Sequence, residues 1–271
     1  MKSLPRYIVT EKRVGETPLV ALERARQEYT LPANIPLTYA GRLDPMASGA
    51  LLILIGEECK KQAHYHTLDK EYKVELLFGI SSDTADVLGV ASTTPPSVLD
   101  ATACRTVLKT LHGPITLPYP HFSSKTVHGK PLHTWTLEGR LDEIEIPVKQ
   151  SEIHRITYDS LRSITREEIL ETVRNKIETI PKVTDPEKVL GADFRRDQVR
   201  ASWDIVEAKG FSPYQILSFT CIASSGTYMR SLCEHIARQL GTSGLAYSIH
   251  RTKIGHYRRI FRHFGLWMRR F

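Results

Sequence analysis

The stretch Tyr39 to Lys61 reads YAGRLDPMASGALLILIGEECKK, and everything else in the chain is arranged around it. Gly41 permits a tight turn. Pro45 fixes its own φ and drives Asp44 out of the helical region, and Gly49 allows another chain segment or a ligand to come close. The run from Ala50 to Ile55 is continuously apolar, which predicts a strand covered on both faces. Asp44 is thereby placed on a loop at the entrance to a rigid core, the usual way a scaffold displays a reactive side chain. Taken alone, an Asp-Pro pair among glycine and serine is more commonly a turn whose carboxylate bonds its own backbone.

The whole chain sets broad bounds. At 271 residues it is long enough for one large domain, or one domain with a smaller one embedded in it. No 18-residue apolar run occurs, and the opening MKSLPRYIVTEKR lacks the apolar centre of a signal peptide, so a soluble cytoplasmic protein is expected. Cys59, Cys104, Cys221 and Cys233 lie far apart in no Cys-x-x-Cys or Cys/His grouping, which argues against structural zinc and against a disulfide framework. The formal charge is +7. Arg251, Lys253, Arg258, Arg259, Arg262, Arg269 and Arg270 all fall between His250 and Phe271 with no acid among them, so a polyanion-binding surface is expected to lie partly in a basic, aromatic tail, 256–271. The interleaved Tyr257, Phe261, Phe264, Trp267 and Phe271 would either stack on bases or anchor a terminal amphipathic helix on the core.

Further elements follow in chain order. Ile8 and Val9 begin a strand. Thr17 is an N-cap with Pro18 at the first helical position, and Leu19, Leu22, Ala25 and Tyr29 carry a helix to about Tyr29. After the strand that follows Asp44, the alternation Tyr72, Val74, Leu76, Phe78, Ile80 predicts a half-buried strand. Asp100 to Leu111 has helical spacing closed by Gly113, and Ile144 to Ile156 is strand material. Thr165 with Glu168 forms a capping box before the stripe Ile169, Val173, Ile177, whereas Pro181 to Lys209 is charged and irregular. Ile216 to Ala223 is again a strand, and Ser224 to Leu232 turns into a helix ending at Leu240-Gly241.

The ordered motifs carry more than any one of them. Gly41-Arg42-Leu43-Asp44-Pro45, Ser48-Gly49, then Gly56-Glu57 and Lys60 resemble the catalytic stretch of the TruB family of tRNA pseudouridine synthases. Lys12-x-x-Gly15 sits at that family's K-P-x-G. Asp69-Lys70-Glu71-Tyr72 resembles its D-K-x-Y, and Asp83-Thr84-Ala85-Asp86 with Gly89 its T-D-T-x-D-x-x-G. Pro118 to Lys130 resembles its RNA-gripping loop, Gly226-Thr227-Tyr228-Met229-Arg230-Ser231-Leu232 its G-T-Y-I-R-S-L, and Ile249-His250-Arg251-Thr252 its closing L-R-R-T. Roughly four fifths of the chain is covered. The match lapses from about Ser160 to Ser212, which is read as an inserted surface subdomain within a single catalytic domain, 1–271.

What the resemblance implies is specific. The fold is α+β, a mixed and largely antiparallel sheet flanked by helices with an RNA-binding cleft across its middle. The activity is isomerisation of uridine to pseudouridine in the T-loop of tRNA (position 55), by base flipping and cleavage and re-formation of the glycosidic bond at C5. Asp44, Tyr72 and Arg230 are the implied catalytic residues, Asp44 acting as nucleophile or as base. Tyr39, Arg42, Asp86, Tyr228, Ile249, Lys125, Lys130 and Arg251 are the implied substrate contacts, with Asp86 orienting Arg230, Ile249 forming an apolar wall, and Lys125 and Lys130 on phosphates. No metal and no organic cofactor is implied, and the expected partner of a monomer is the tRNA T-arm. Three departures stand out: the family's His before the catalytic Asp is Tyr39 here, its Lys before G-T-Y is Ser225, and its motif proline is Arg13. The appended RNA-binding PUA domain is expected to be absent. Two alternatives stay open, a synthase acting on another RNA stem-loop and a non-catalytic RNA-binding or folding factor of the same fold.

Overall fold

The computed structural model describes residues 4–180, 195–261 and 264–271. In chain order these form β1 (Tyr7–Lys12), α1 (Pro18–Glu28), β2 (Leu37–Ala40), β3 (Ser48–Ile55), α2 (Gln62–His66), β4 (Asp69–Phe78), β5 (Ile80–Ser82), β6 (Ala91–Thr93), α3 (Ala101–Thr110), β7 (Gly113–Pro118), β8 (Thr126–Val127), β9 (Lys130–Pro131) and α4 (Leu132–Leu137). There follow β10 (Val148–Ile164), α5 (Arg166–Thr179), α6 (Arg196–Lys209), β11 (Tyr214–Ala223), α7 (Met229–Gln239), β12 (Gly244–Phe261) and β13 (Phe264–Arg270). The class is α+β.

Nine strands of the described residues make one sheet, in the order β1-β3-β12-β4-β11-β10-β7, with β2 added to β3 and β13 to β12. All pairings are antiparallel but one. Between β12 and β3 the chains run parallel, and only for His250 opposite Ser48 and Arg251 opposite Gly49. That short parallel seam closes the sheet directly behind the Asp44 loop. β3 is buried from Leu51 through Ile55, so its uninterrupted apolar run does report a strand covered on both sides. In β4 the alternation holds through Val74 and Leu76, but Leu77 is buried as well and belongs to the same main cluster.

Caps formed where the local chemistry asked for them. Thr17 accepts from Val20 N ahead of Pro18, Asp100 accepts from the amides of Thr102 and Ala103, and Thr165 and Glu168 close a reciprocal capping box. The α1 stripe is rotated from the expected one. Pro18, Ala21, Leu22 and Ala25 are inside whereas Leu19 and Tyr29 are exposed, since small alanines let the helix lie close to β1 and β2.

Two expectations are corrected. The residues from 196 to 209, read as irregular, are α6, and the C-terminal tail is a β-hairpin in the main sheet where an amphipathic helix was the anchoring alternative. The hairpin wins because its aromatics pair across strands: Tyr257 meets Trp267 edge-on at 5.4 Å, and Phe271 packs on Tyr7 at 5.0 Å and Tyr65 at 5.7 Å. In the described part of the 160–212 span, the inward faces of α5 and α6 join the main core. Ile164 ends β10, and Ile169, Val173, Ile177, Val199, Trp203 and Val206 share one hydrophobic cluster with Leu76, Phe219 and Leu245 of the sheet. The remainder of the Pro181–Lys209 stretch, 181–194, lies outside the described residues. Among the described residues no helix is long and apolar enough to cross a membrane.

Trp203 fixes α6 to this core. It is 1% exposed, and its indole N–H donates to the Val87 carbonyl at 3.2 Å. Trp203→Ala is therefore expected to lower the free energy of unfolding by about 3–5 kcal/mol in urea titration, as removal of a buried aromatic does. A loss under about 1 kcal/mol would show that α6 is peripheral to the fold.

Candidate active site

The loop between β2 and β3 is held by its backbone. Gly41 sits at φ +82° and Gly49 at φ +112°, and a Cβ on Gly49 would fall 2.2 Å from the Arg251 carbonyl oxygen, so only glycine lets β12 come this close. Leu43, Met46 and Ala47 point into the main core and anchor the loop. The Pro45 carbonyl accepts from Gly15 N at 2.8 Å. From beneath, Arg251 donates to Ala50 O at 2.7 Å, Gly41 O at 3.1 Å and Arg42 O at 3.4 Å, while Lys12 donates to Ala47 O at 2.6 Å. With its main chain pinned from both sides, the loop leaves the Asp44 carboxylate free to face the cleft.

That carboxylate does not cap its own turn. Arg230, 186 positions downstream in the first turn of α7, donates Nε–H to Asp44 Oδ2 at 2.8 Å. Its other donors reach Thr84 O at 2.8 Å and Phe122 O at 3.2 Å. Asp86 Oδ2 lies 3.7 Å from the same Nε. Asp86 is itself fixed, its Oδ1 accepting from Thr84 Oγ1 and from Leu88 N, both at 2.9 Å. Arg230 is 3% exposed. Burial alone would lower its pKa, but Asp44 and Asp86 carry it above the ordinary value. Burial pushes the Asp86 carboxyl up, against the pull of Arg230. Asp44 is the open member of the trio, with 39% of its side chain exposed.

Aromatic side chains flank the pair. On β4 Tyr72 lies between Arg251 of β12 and Cys221 of β11, and its phenol meets the Arg251 guanidinium. Burial raises the Tyr72 pKa, and Arg251 offsets part of the rise. Tyr228, the residue before α7, sits with its ring 5.3 Å from that of Tyr119. Its phenol is raised first by burial, then by Tyr119 and Asp44, and lowered by Arg230 and the exposed Arg42. A carboxylate, a guanidinium held dry and tyrosine faces make a site suited to a flat uncharged ring attached to a sugar.

The sequence profile described as TruB family pseudouridylate synthase, N-terminal domain, matches residues 36–179. The chain belongs to the TruB family. It is 27% identical to a tRNA pseudouridine synthase B of Caldicellulosiruptor saccharolyticus over 248 residues, 92% of this chain and 67% of that one. It is 28% identical to tRNA pseudouridine synthase 4 of Saccharomyces cerevisiae over 86% of this chain, and there it spans 62% of the relative's length. In fold it resembles a chain of a Cbf5–Nop10–Gar1 complex with a TM-score of 0.54 at 14% identity, over 92% of this chain and 48% of that one. The relatives named here are pseudouridine synthases, a class of isomerase.

Within this TruB-family site the residues singled out from sequence divide. Asp44, Arg230, Asp86, Tyr72, Tyr228 and Arg42 come together around the cleft. Ile249 lies in the core beside Val74. Lys125 is exposed and lies over the Tyr119 ring at 5.6 Å. Three others stand elsewhere. Arg251, 1% exposed, gives its donors to backbone carbonyls and meets the Tyr72 phenol. Lys130 is held by Glu138 and by the Trp135 ring, 4.0 Å away. Tyr39 packs on the small cluster of Ile8, Leu22, Leu31 and Ile53 under α1. Sequence reading passed over the Thr84 and Phe122 carbonyls, since backbone acceptors have no sequence signature, and it did not assign Lys12 and Lys70 to the site. Each lysine lies in a motif quoted above.

Lys12 and Lys70 form, with Arg251, a buried cationic layer under the loop. Burial lowers each lysine from 10.5 to about 8. The unfolded chain keeps these protons to about pH 10.4, so between pH 8 and that value it binds more protons than the folded chain, and stability from these groups rises with pH. Below pH 8 both states are protonated and the contribution is flat. The unfolding free energy of the native chain minus that of Lys12→Met is therefore expected to grow from pH 8 to 10 in urea titrations. A difference constant over that interval would mean that Lys12 keeps an ordinary pKa.

Proposed function

We propose that the protein isomerises uridine to pseudouridine in the T-loop of tRNA, with Asp44 acting on the ribose and Arg230 fixing and aiming the Asp44 carboxylate. The observation that carries this reading is the 2.8 Å contact between the open Asp44 carboxylate and a guanidinium that is 3% exposed. Both tRNA synthase relatives support the substrate class.

A uridine taken out of its stack, at a cost of a few kcal/mol that is least in a loop, enters between the tyrosines. The N1–C1′ bond breaks, the uracil turns, and C5 bonds to C1′. C5 then gives up its proton and N1 ends with one, so the product is an isomer and nothing is consumed. Asp44 is needed as an anion throughout, either attacking C1′ or taking a ribose proton. Arg230 gives that carboxylate a permanently charged partner at 2.8 Å. The two carbonyls on the far side of Arg230 prevent it from swinging out to solvent. Tyr72, its phenol kept protonated by burial, stands at the base as a relay: its oxygen takes the C5 proton as its own hydroxyl proton passes on toward N1. Lys125 and Arg42 are exposed beside the cleft and suit the phosphates of the bound strand. The protein needs neither a metal nor an organic cofactor for these steps and acts as a monomer on the T-arm.

Asp44→Asn preserves shape and removes the charge. It is expected to bind a T-arm transcript within a few-fold of the native protein while product formation falls by on the order of 10³ or more. Retained pseudouridine formation would end the proposal. Mapping of pseudouridine in total RNA treated with the native protein locates the target: sites confined to a different stem-loop would replace the T-loop, and no sites at all would favour a non-catalytic RNA-binding factor.

A further inference from the structure

Arg195 belongs to the 160–212 span that the motifs leave unexplained, yet its contacts lead to the catalytic centre. Its guanidinium bonds both oxygens of Asp83, Nη2 to Oδ1 at 3.1 Å and Nη1 to Oδ2. The same guanidinium lies over the Phe122 ring with Cζ 4.3 Å from the centroid. These two partners sit on the two loops that fix Arg230. Asp83 is next to Thr84, whose carbonyl accepts from Arg230 Nη1, and the Phe122 carbonyl accepts from Nη2. Asp83 Oδ1 also accepts from Val90 N at 2.9 Å, which ties the whole 83–90 loop to the same point. Ser231, the residue after Arg230, donates to Pro118 O at 2.8 Å and fixes α7 to the strand end from which the Phe122 loop departs.

We infer that Arg195 is a positioning residue for the reaction, a clamp that joins the 83–90 and 119–125 loops so that their carbonyls hold the Arg230 guanidinium with its Nε toward Asp44. This role rests on the function proposed above for Asp44 and Arg230. The chemistry requires arginine: one planar group must form a fork with a carboxylate and at the same time lay its face on a ring, and an ammonium, a compact point charge, has neither the fork nor the face. Arg195 is 19% exposed and Asp83 33%, so the pair is sheltered without being sealed. The interaction therefore tolerates loss better than the Arg230 pair, and its removal shifts orientation more than it unfolds the chain. A displaced guanidinium is costly to rate, since misplacement of a catalytic group by about 1 Å lowers turnover by up to about 10²-fold.

The test compares Arg195→Ala and Arg195→Lys with the native chain by two independent readings. In steady-state kinetics on a T-arm transcript, kcat is expected to fall between about 10- and 100-fold in both variants, with KM changed less than about threefold. A rise in KM with unchanged kcat and a flatter salt dependence would make Arg195 an RNA phosphate contact and overturn the inference, as would native kinetics. In Phe122→Leu, which keeps the backbone and removes the ring, addition of Arg195→Ala is expected to cause little further loss, and a fully multiplicative loss would mean that the two do not act together. Hydrogen exchange of the free proteins supplies a reading that needs no activity. Amides in 83–90 and in 119–125 are expected to lose protection together in Arg195→Ala, and protection retained in either loop sinks the clamp. If the native protein makes no pseudouridine, the proposed function fails on that result alone, and the exchange data still decide whether Arg195 joins the loops.

Discussion

A guanidinium shut away from water is the constraint on which this molecule turns. Arg230 cannot shed its proton, so its burial is tolerable only if opposite charge and acceptor oxygens surround it in the right directions. The acceptors come from three separate places in sequence, Asp44, the Thr84–Asp86 turn and Phe122. None of these is a neighbour of another along the chain. The sheet order brings them together, because β4 stands between β12 and β11 and the short parallel seam of β12 on β3 carries the Asp44 loop to the same end. Removing one partner would strand charge in a dry place, which ties the integrity of the cleft to that of the fold.

Below this lies a second cationic layer with a different logic. Lys12, Lys70 and Arg251 are buried and direct their donors to backbone carbonyls: Arg13, Ala47, His66, Leu68, Ala50, Gly41 and Arg42. Carbonyl dipoles solvate the charges only partly, which is why both lysines fall to about 8. The gain is geometric. Cations that fix the loop through its main chain leave the Asp44 side chain unencumbered, whereas a carboxylate serving the same purpose would compete with Asp44 for Arg230. Backbone is held by one set of charges and reactive side chain by another.

This division explains what was legible in the sequence. The alternating start of β4 and the capped helices α3 and α5 were readable because local chemistry and tertiary burial agree there. Asp44 and Arg230 were readable because motifs keep them in fixed company. Arg251 stands in an equally basic motif, and nothing in residue type separates a cation facing RNA from one facing carbonyls; only the β12–β3 seam decides, and that seam is two residue pairs long. Lys130 was placed on phosphate for want of knowledge of Trp135 and Glu138, which α4 brings under it. The tail was ambiguous because its aromatic spacing fits a helix face as well as alternate residues of a hairpin.

The same seam alters how the basic C-terminus must be understood. Counting charges places seven cations there, but Arg251 is internal, Lys253 pairs with Glu71 at 2.7 Å and Arg259 with Glu152 at 3.4 Å. Those acids belong to β4 and β10, so the hairpin is stitched to the sheet by charge as well as by Tyr257 and Phe271. Paired ions leave the net charge untouched but shorten its reach, since at physiological salt fields fade within about 8 Å. Among the described side chains, Arg258 and Arg270 on the hairpin, and Arg42 and Lys125 by the cleft, stay exposed. The buried cations, Arg230, Arg251, Lys12 and Lys70, are occupied in holding the loops, and the exposed ones are a separate set.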